Sequence, residues 1–188
     1  GWDRTAEQAA NTNPELIGAL VREAKAAGAA KVWVTDCPVN NPARAFTRSG
    51  ILPATEKAGG KVILPEQTRY LDVDIPGKLG RWPVLAPYLE ATKIINVPVV
   101  KHHALTRATI GMKNWYGILG GQRNRLHQRI DTSIVELAAL CKPTLTIVDA
   151  TRILVRNGPT GGSLADVKQV NAMALSLDPV AADAWGVE

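Results

Sequence analysis

Residues 91–130 contain neither aspartate nor glutamate. The same stretch carries Lys93, Lys101, Arg107, Lys113, Arg123, Arg125 and Arg129, together with every histidine of the chain, His102, His103 and His127. The formal net charge is only +5, so this one stretch more than accounts for it. Cationic charge without local carboxylates to neutralise it favours an anion: phosphate, carboxylate, nucleotide or nucleic acid.

Other absences narrow the class. No apolar run approaches the roughly 18 residues that a membrane-spanning helix needs. Residues 1–20 lack the basic start and apolar core of a secretory leader. Gly1 in place of a starting methionine fits an excised domain or a processed product. Two cysteines, Cys37 and Cys141, are too few for a disulfide framework, and an iron–sulfur cluster normally takes four thiolates, so no cluster is expected within this chain. Both read as reduced structural thiols of a cytoplasmic protein. There is no phosphate-binding loop of the Gly-x-x-x-x-Gly-Lys-Ser/Thr type, no nucleophile elbow, no Cys-x-x-Cys and no His-x-x-x-His. No linker or composition shift divides the chain, and its length suits one domain over residues 1–188.

What is present alternates helix with strand. Asn13-Pro14 is a capping residue followed by proline at the first helical turn; Leu16, Ile17, Leu20, Val21 and Ala24 then repeat at helical spacing up to Gly28. Residues 31–36 predict a strand, 49–59 a second helix and 61–64 a second strand. Residues 68–75 predict an edge strand or hairpin ending at Pro76-Gly77. Residues 93–100 predict a strand that Pro98 bends. The apolar spacing of residues 104–119 predicts a helix stopped by Gly120-Gly121. Asp131 is expected to cap a further helix with Ile134, Val135, Leu137, Ala138 and Leu140 buried, and residues 144–149 read as the clearest central strand. Alternation over residues 169–176 favours a strand, and Asp178-Pro179 repeats the cap-then-proline signal. The fold class is therefore α/β, a layered, mostly parallel or mixed sheet flanked by helices.

In such sheets ligands gather beyond the carboxyl ends of strands. Asp36, His102-His103 and Asp149 are expected at such ends. Adjacent histidines on a strand point to opposite sides, so one metal is not expected to take both, and no metal site is assigned. Lys113-Asn114 offers a cation beside a bifunctional amide. Gly120-Gly121 leading into Arg123 and Arg125 offers an anion cradle. The glycines from Gly158 to Gly162 do not fit a dinucleotide fingerprint and read as a surface loop.

Several ordered motifs go further together. Lys101-His102-His103-Ala104-Leu105-Thr106, the run from Gly111 through Lys113-Asn114-Trp115-Tyr116 to Gly117, and then Arg125 and His127 stand in series. Thr146-Ile147-Val148-Asp149, Asn157-Gly158-Pro159 and Asp178-Pro179-Val180-Ala181 with Asp183 follow, and Asn13-Pro14-Glu15, Gly28-Ala29, Ser49-Gly50-Ile51 and Glu56-Lys57-Ala58-Gly59 precede them. This pattern resembles the family called domain of unknown function 362 over nearly the whole chain. The resemblance implies a prokaryotic setting and a functional core of Lys113, Asn114, Arg125, His127, Asp149 and Asn157. Some relatives are joined to ferredoxin-like iron–sulfur domains, so any cluster of a parent protein would lie outside these residues or on another chain.

The leading expectation is an enzymatic site for an anionic small molecule. Lys113, Asn114, Arg123, Arg125 and Asn157 would bind the anion, His127 or His103 would move a proton, and Asp149 would orient a histidine or a metal. A histidine among cations has a lowered pKa, which suits a base at neutral pH. The alternative is a non-catalytic module that docks an acidic ferredoxin-like domain or protein on its basic face. Nucleic-acid binding ranks third: Trp115 and Tyr116 could stack on bases beside the cations, but no nucleic-acid motif is visible.

Overall fold

Local capping chemistry sets both ends of the chain. In the computed structural model, which describes residues 1–188, the Asn13 side chain accepts from the Glu15 amide at 3.1 Å and starts α1 (Pro14–Ala26). Ile17 and Val21 are its buried stripe, and Gly28 follows at φ +94°. Next comes the short β1 (Trp33–Thr35). The sequence reading passed over a second asparagine–proline cap: Asn41 accepts from the Arg44 amide and starts α2 (Pro42–Arg48). The helix expected over 49–59 is α3 (Ile51–Lys57), parted from α2 by Gly50 at φ +79°. β2 (Lys61–Ile63) then pairs in parallel with β1.

Residues 68–85 form the hairpin. β3 (Tyr70–Ile75) and β4 (Gly80–Leu85) pair antiparallel across the Pro76-Gly77 turn, and α4 (Ala86–Glu90) follows. The strand expected over 93–100 is broken at Val97-Pro98, as the missing proline donor requires, into β5 (Ile95–Asn96) and β6 (Val99–His103).

The helix expected over 104–119 is not formed as such. β6 runs on through both histidines and turns back into β7 (Arg107–Thr109), with Arg107 at φ +64°. Helix begins only at α5 (Gly111–Asn114) and passes into a 3-10 turn, Trp115–Ile118. The start is fixed from a distance: the Asp183 carboxylate accepts from the Gly111 amide at 2.7 Å and from the Met112 amide at 3.1 Å.

After the 3-10 segment Arg123–Arg129, α6 (Ile130–Leu140) starts one residue before Asp131, which lies in the first turn, where negative charge suits the helix dipole, rather than at the cap. Leu137 is fully buried, whereas Val135 is exposed, contrary to the expected stripe. The central strand is longer than expected: β8 (Leu145–Leu154) continues beyond Asp149, held by antiparallel β9 (Val167–Ser176). Asp178 accepts from the Val180 and Ala181 amides and caps α7 (Pro179–Val187).

β8 organises the mixed sheet. β5 and β6 lie parallel along one edge of it, β9 lies antiparallel along the other, and β7 extends the sheet beyond β6. The main core lies between the hairpin and α6, where Val84, Leu119 and Leu137 have no exposed surface and Trp115, Tyr116 and Leu126 join them. Burying an aliphatic side chain of this size contributes about 1.5–3 kcal/mol. This core anchors the 3-10 turn that carries the candidate site. Cys37 and Cys141 are both buried and unpaired.

Candidate functional site

β6 sorts its polar residues by strand alternation. Lys101 and His103 are buried on one face, while His102 points to the other. There the His102 Nδ1 accepts from the Gly158 amide at 3.1 Å, so His102 helps hold the 157–162 loop. The two histidines therefore part as strand geometry predicts.

On the other face, Lys101 and His103 meet residues from three segments. Lys113, from α5, sits with its Nζ 4.3 Å from the centroid of the Tyr116 ring. His127 meets the same ring edge-on at 5.7 Å and lies nearly parallel to His103 at 6.2 Å. Arg123 donates from Nη1 to the carbonyls of Cys37 at 2.6 Å and Tyr116 at 3.1 Å, and from Nη2 to that of Pro38 at 3.2 Å. It thus staples the segment after β1 to the 3-10 turn and leaves part of its donor fork free.

The electrostatics follow from crowding. Burial lowers the Lys113 ammonium to about 8, and the Arg123 guanidinium pushes the same way. Lys101 also falls to about 8, chiefly by burial; Asp36 opposes this and Lys113 adds to it. The Lys101 Nζ donates to the Ala10 carbonyl at 2.6 Å. His103 drops to about 4, through burial first and then Lys113, His127 and Lys101. Burial and Lys113 also lower His127, against the carbonyls of Arg123 and Asn124.

Asp36 is the carboxylate at this cluster. It lies against Gly117, where a Cβ would overlap it. The chain's six ion pairs all lie outside residues 91–130. Lys113 therefore sits among like charges with its ammonium unpaired.

The structure also defines His103 chemically. Its Nδ1 accepts from the backbone amides of Leu105 at 3.1 Å and Thr106 at 3.3 Å. The neutral ring then carries its proton on Nε2, and His127 is the second imidazole of the cluster, lowered by burial and Lys113. Because the folded value lies below the ordinary 6.5, native His103 binds fewer protons than the unfolded chain does. Its contribution to stability is complete above pH 6.5 and is lost as pH falls toward 4, at up to about 1.4 kcal/mol per pH unit. His103→Asn keeps an acceptor for the two amides. Urea midpoints at pH 7.5 and 5 should therefore fall less in this variant than in the wild type; equal falls would refute the assignment.

Asp149, Asn114 and Asn157, also expected in the site, make hydrogen bonds with other segments of the chain. Asp149 lies inside β8 rather than at its end, and its carboxylate accepts from the Asn13 amide at 2.7 Å, the Thr151 amide at 3.0 Å and the Thr151 hydroxyl at 2.7 Å. Its partners include no histidine. Asn114 donates to Asn96 at 2.8 Å, and Asn96 donates to the Gly111 carbonyl at 3.0 Å, so this pair braces α5. Asn157, at φ +54°, donates to Asp166 at 2.7 Å. Arg125 is exposed and makes no ion pair. No group of three or more His, Cys, Asp or Glu side chains is placed to hold a metal ion. Sequence reasoning missed Lys101 and Tyr116 as members of this site. The two-residue spacing of Lys101 and His103 on a strand was the available signal for the first.

Fold and site together define a mixed α/β domain that gathers unpaired cations and histidines beside a tyrosine ring. The chain belongs to the family described as Domain of unknown function (DUF362), whose model matches residues 2–188. It is also 28% identical over 182 residues to a thylakoid-associated protein of Synechocystis sp., a match that covers 92% of this chain and 54% of that protein. The chain thus spans about half the length of this curated relative. No solved structure matches it. No helix is long and apolar enough to cross a membrane.

Proposed function

We propose that this domain binds an anionic small molecule over Lys113, with Arg123 and Lys101 supplying further positive potential, His103 donating from Nε2 and His127 moving a proton. The observation that carries this reading is the unpaired Lys113 ammonium, held among Lys101, Arg123 and two neutral imidazoles. Folding opposes such crowding, and a bound anion relieves it. Arg125, exposed on the same 3-10 segment as Arg123 and His127, would extend the anion site at its rim. Asp149, Asn114 and Asn157 enter this reading as supports of the scaffold.

The test is calorimetric titration with sulfate and citrate between pH 7.5 and 9.5, where both ligands hold a constant charge. Affinity should be highest at the bottom of the range and fall above about pH 8, by up to tenfold per pH unit for each lysine that must be protonated. Pyrophosphate and nucleotides, compared at pH 7.5, then identify the preferred class. Binding that is constant to pH 9.5 would remove Lys113 and Lys101 from the site. Exposed Arg107, Arg125 and Arg129 make no ion pair and favour one alternative, the docking of an acidic ferredoxin-like partner. Salt-sensitive association with such a protein, without small-anion binding, would select it.

A further inference from the structure

We propose that Lys113 is a covalent amine, and that the anion held here carries an aldehyde or ketone which condenses with the Lys113 Nζ to form an imine. The inference rests on the anion-site reading and names its substrate class.

Geometry separates Lys113 from the other buried lysine. The Lys101 Nζ is enclosed and occupied by the Ala10 carbonyl. The Lys113 Nζ makes no hydrogen bond and no ion pair, and its residue is only partly buried, so its lone pair can meet a ligand once the proton is lost. Tyr116 supports the side chain from one side at 4.3 Å and also packs against His127. One ring thus places an amine and an imidazole side by side, while the Tyr116 hydroxyl is bonded away to Ser133 at 2.8 Å. The cations and rings facing Lys113 are Arg123, Lys101, His103 and His127, which favour the neutral amine or an anionic ligand, while Asp36, the carboxylate of the cluster, bonds the Gly1 amino group. With its ammonium lowered to about 8, about a tenth is free amine at pH 7, far more than for an ordinary lysine.

The step balances without an oxidant. The Nζ lone pair attacks the carbonyl carbon, forming the C–N bond, and the C=O π pair moves to oxygen. His127 carries one proton from the nitrogen to that oxyanion, giving the carbinolamine hydroxyl, and then relays the second nitrogen proton to the hydroxyl, which leaves as water with the C–O pair while the nitrogen lone pair closes the imine. The net change is loss of one water. Arg123 and the Nε2–H of His103 hold the anionic end.

Pyridoxal phosphate, an anionic aldehyde, is the probe. The intact chain is incubated with it, reduced with borohydride, which delivers hydride to the imine carbon, and digested with trypsin. Reduction should place the adduct on the missed-cleavage peptide 108–123, labelled roughly tenfold or more faster than the peptides of the other nine lysines, and phosphate should suppress it. His127→Gln should slow labelling at this peptide alone. Lys113→Arg removes the amine, so the adduct should vanish from residues 108–123 while the slow labelling of the other lysines is unmoved. Anion stabilisation with labelling spread evenly over the lysines would overturn the imine while leaving the anion site standing. Absence of both would overturn the two together.

Discussion

Lys113→Met should raise the thermal midpoint and abolish stabilisation by anions. The folded chain holds the Lys113 charge at a penalty, because its ammonium is lowered from the ordinary range to about 8 by burial and Arg123. Methionine keeps an unbranched stem against Tyr116 and removes the charge. It also removes the cation–π contact, worth about 0.5–2 kcal/mol, which offsets part of the gain. The net effect at pH 7 should be a stabilisation of about 1 kcal/mol, or roughly 2–4 °C for a domain of this size. The effect on binding is larger, because the central ligand contact disappears. Such opposite movement is expected where charge is held for a ligand rather than for the fold. A lower midpoint in the variant, or anion stabilisation equal to that of the wild type, would contradict the assignment.

Gly158→Ala should be the more damaging change to the fold, at about 3–5 kcal/mol. Its Cβ would overlap the His102 carbonyl, which is backbone and cannot rotate aside. The Gly158 residue is buried, and its amide donates to the His102 ring, so relief would need β6 or the loop to move. β6 also carries Lys101 and His103 on its other face, so the shift should weaken anion binding as well. Gly28→Ala is the control: no atom lies within 4 Å of its Cβ, so only the strain of φ +94° remains, about 1–2 kcal/mol. Urea titration of both variants measures the difference. A Gly158 variant no weaker than the Gly28 control would show that the contact is not tight.

The legible parts of this fold are those fixed by near neighbours. Asn13-Pro14 and Asp178-Pro179 carry their own caps, and the alternation over 169–176 appears as β9. Residues 104–119 misled because the group that starts α5 is Asp183, 72 residues from Gly111 in the chain. Helical spacing there was real, but β-branched Thr106 and Thr109 and the antiparallel partner β6 claimed the first half for a hairpin. The site divides in the same way. Missing carboxylates across 91–130 located the cluster by composition alone. Which cations face inward depended on strand parity for Lys101 and, for Lys113, on the short helix and 3-10 turn that set it over Tyr116, three residues on. Asp149 accepts from the Asn13 amide, 136 residues away, a contact that local spacing could not announce.

The most direct measurement is a thermal-shift screen of the wild type beside Lys113→Met at one fixed salt concentration, with phosphate, nucleotides, small carboxylates and divalent metals. A ligand that binds only the folded state must raise the midpoint. The account predicts that one class of anion stabilises the wild type and leaves the variant unmoved. Equal shifts in both proteins, or a response to metals alone, would contradict an anion site built on Lys113.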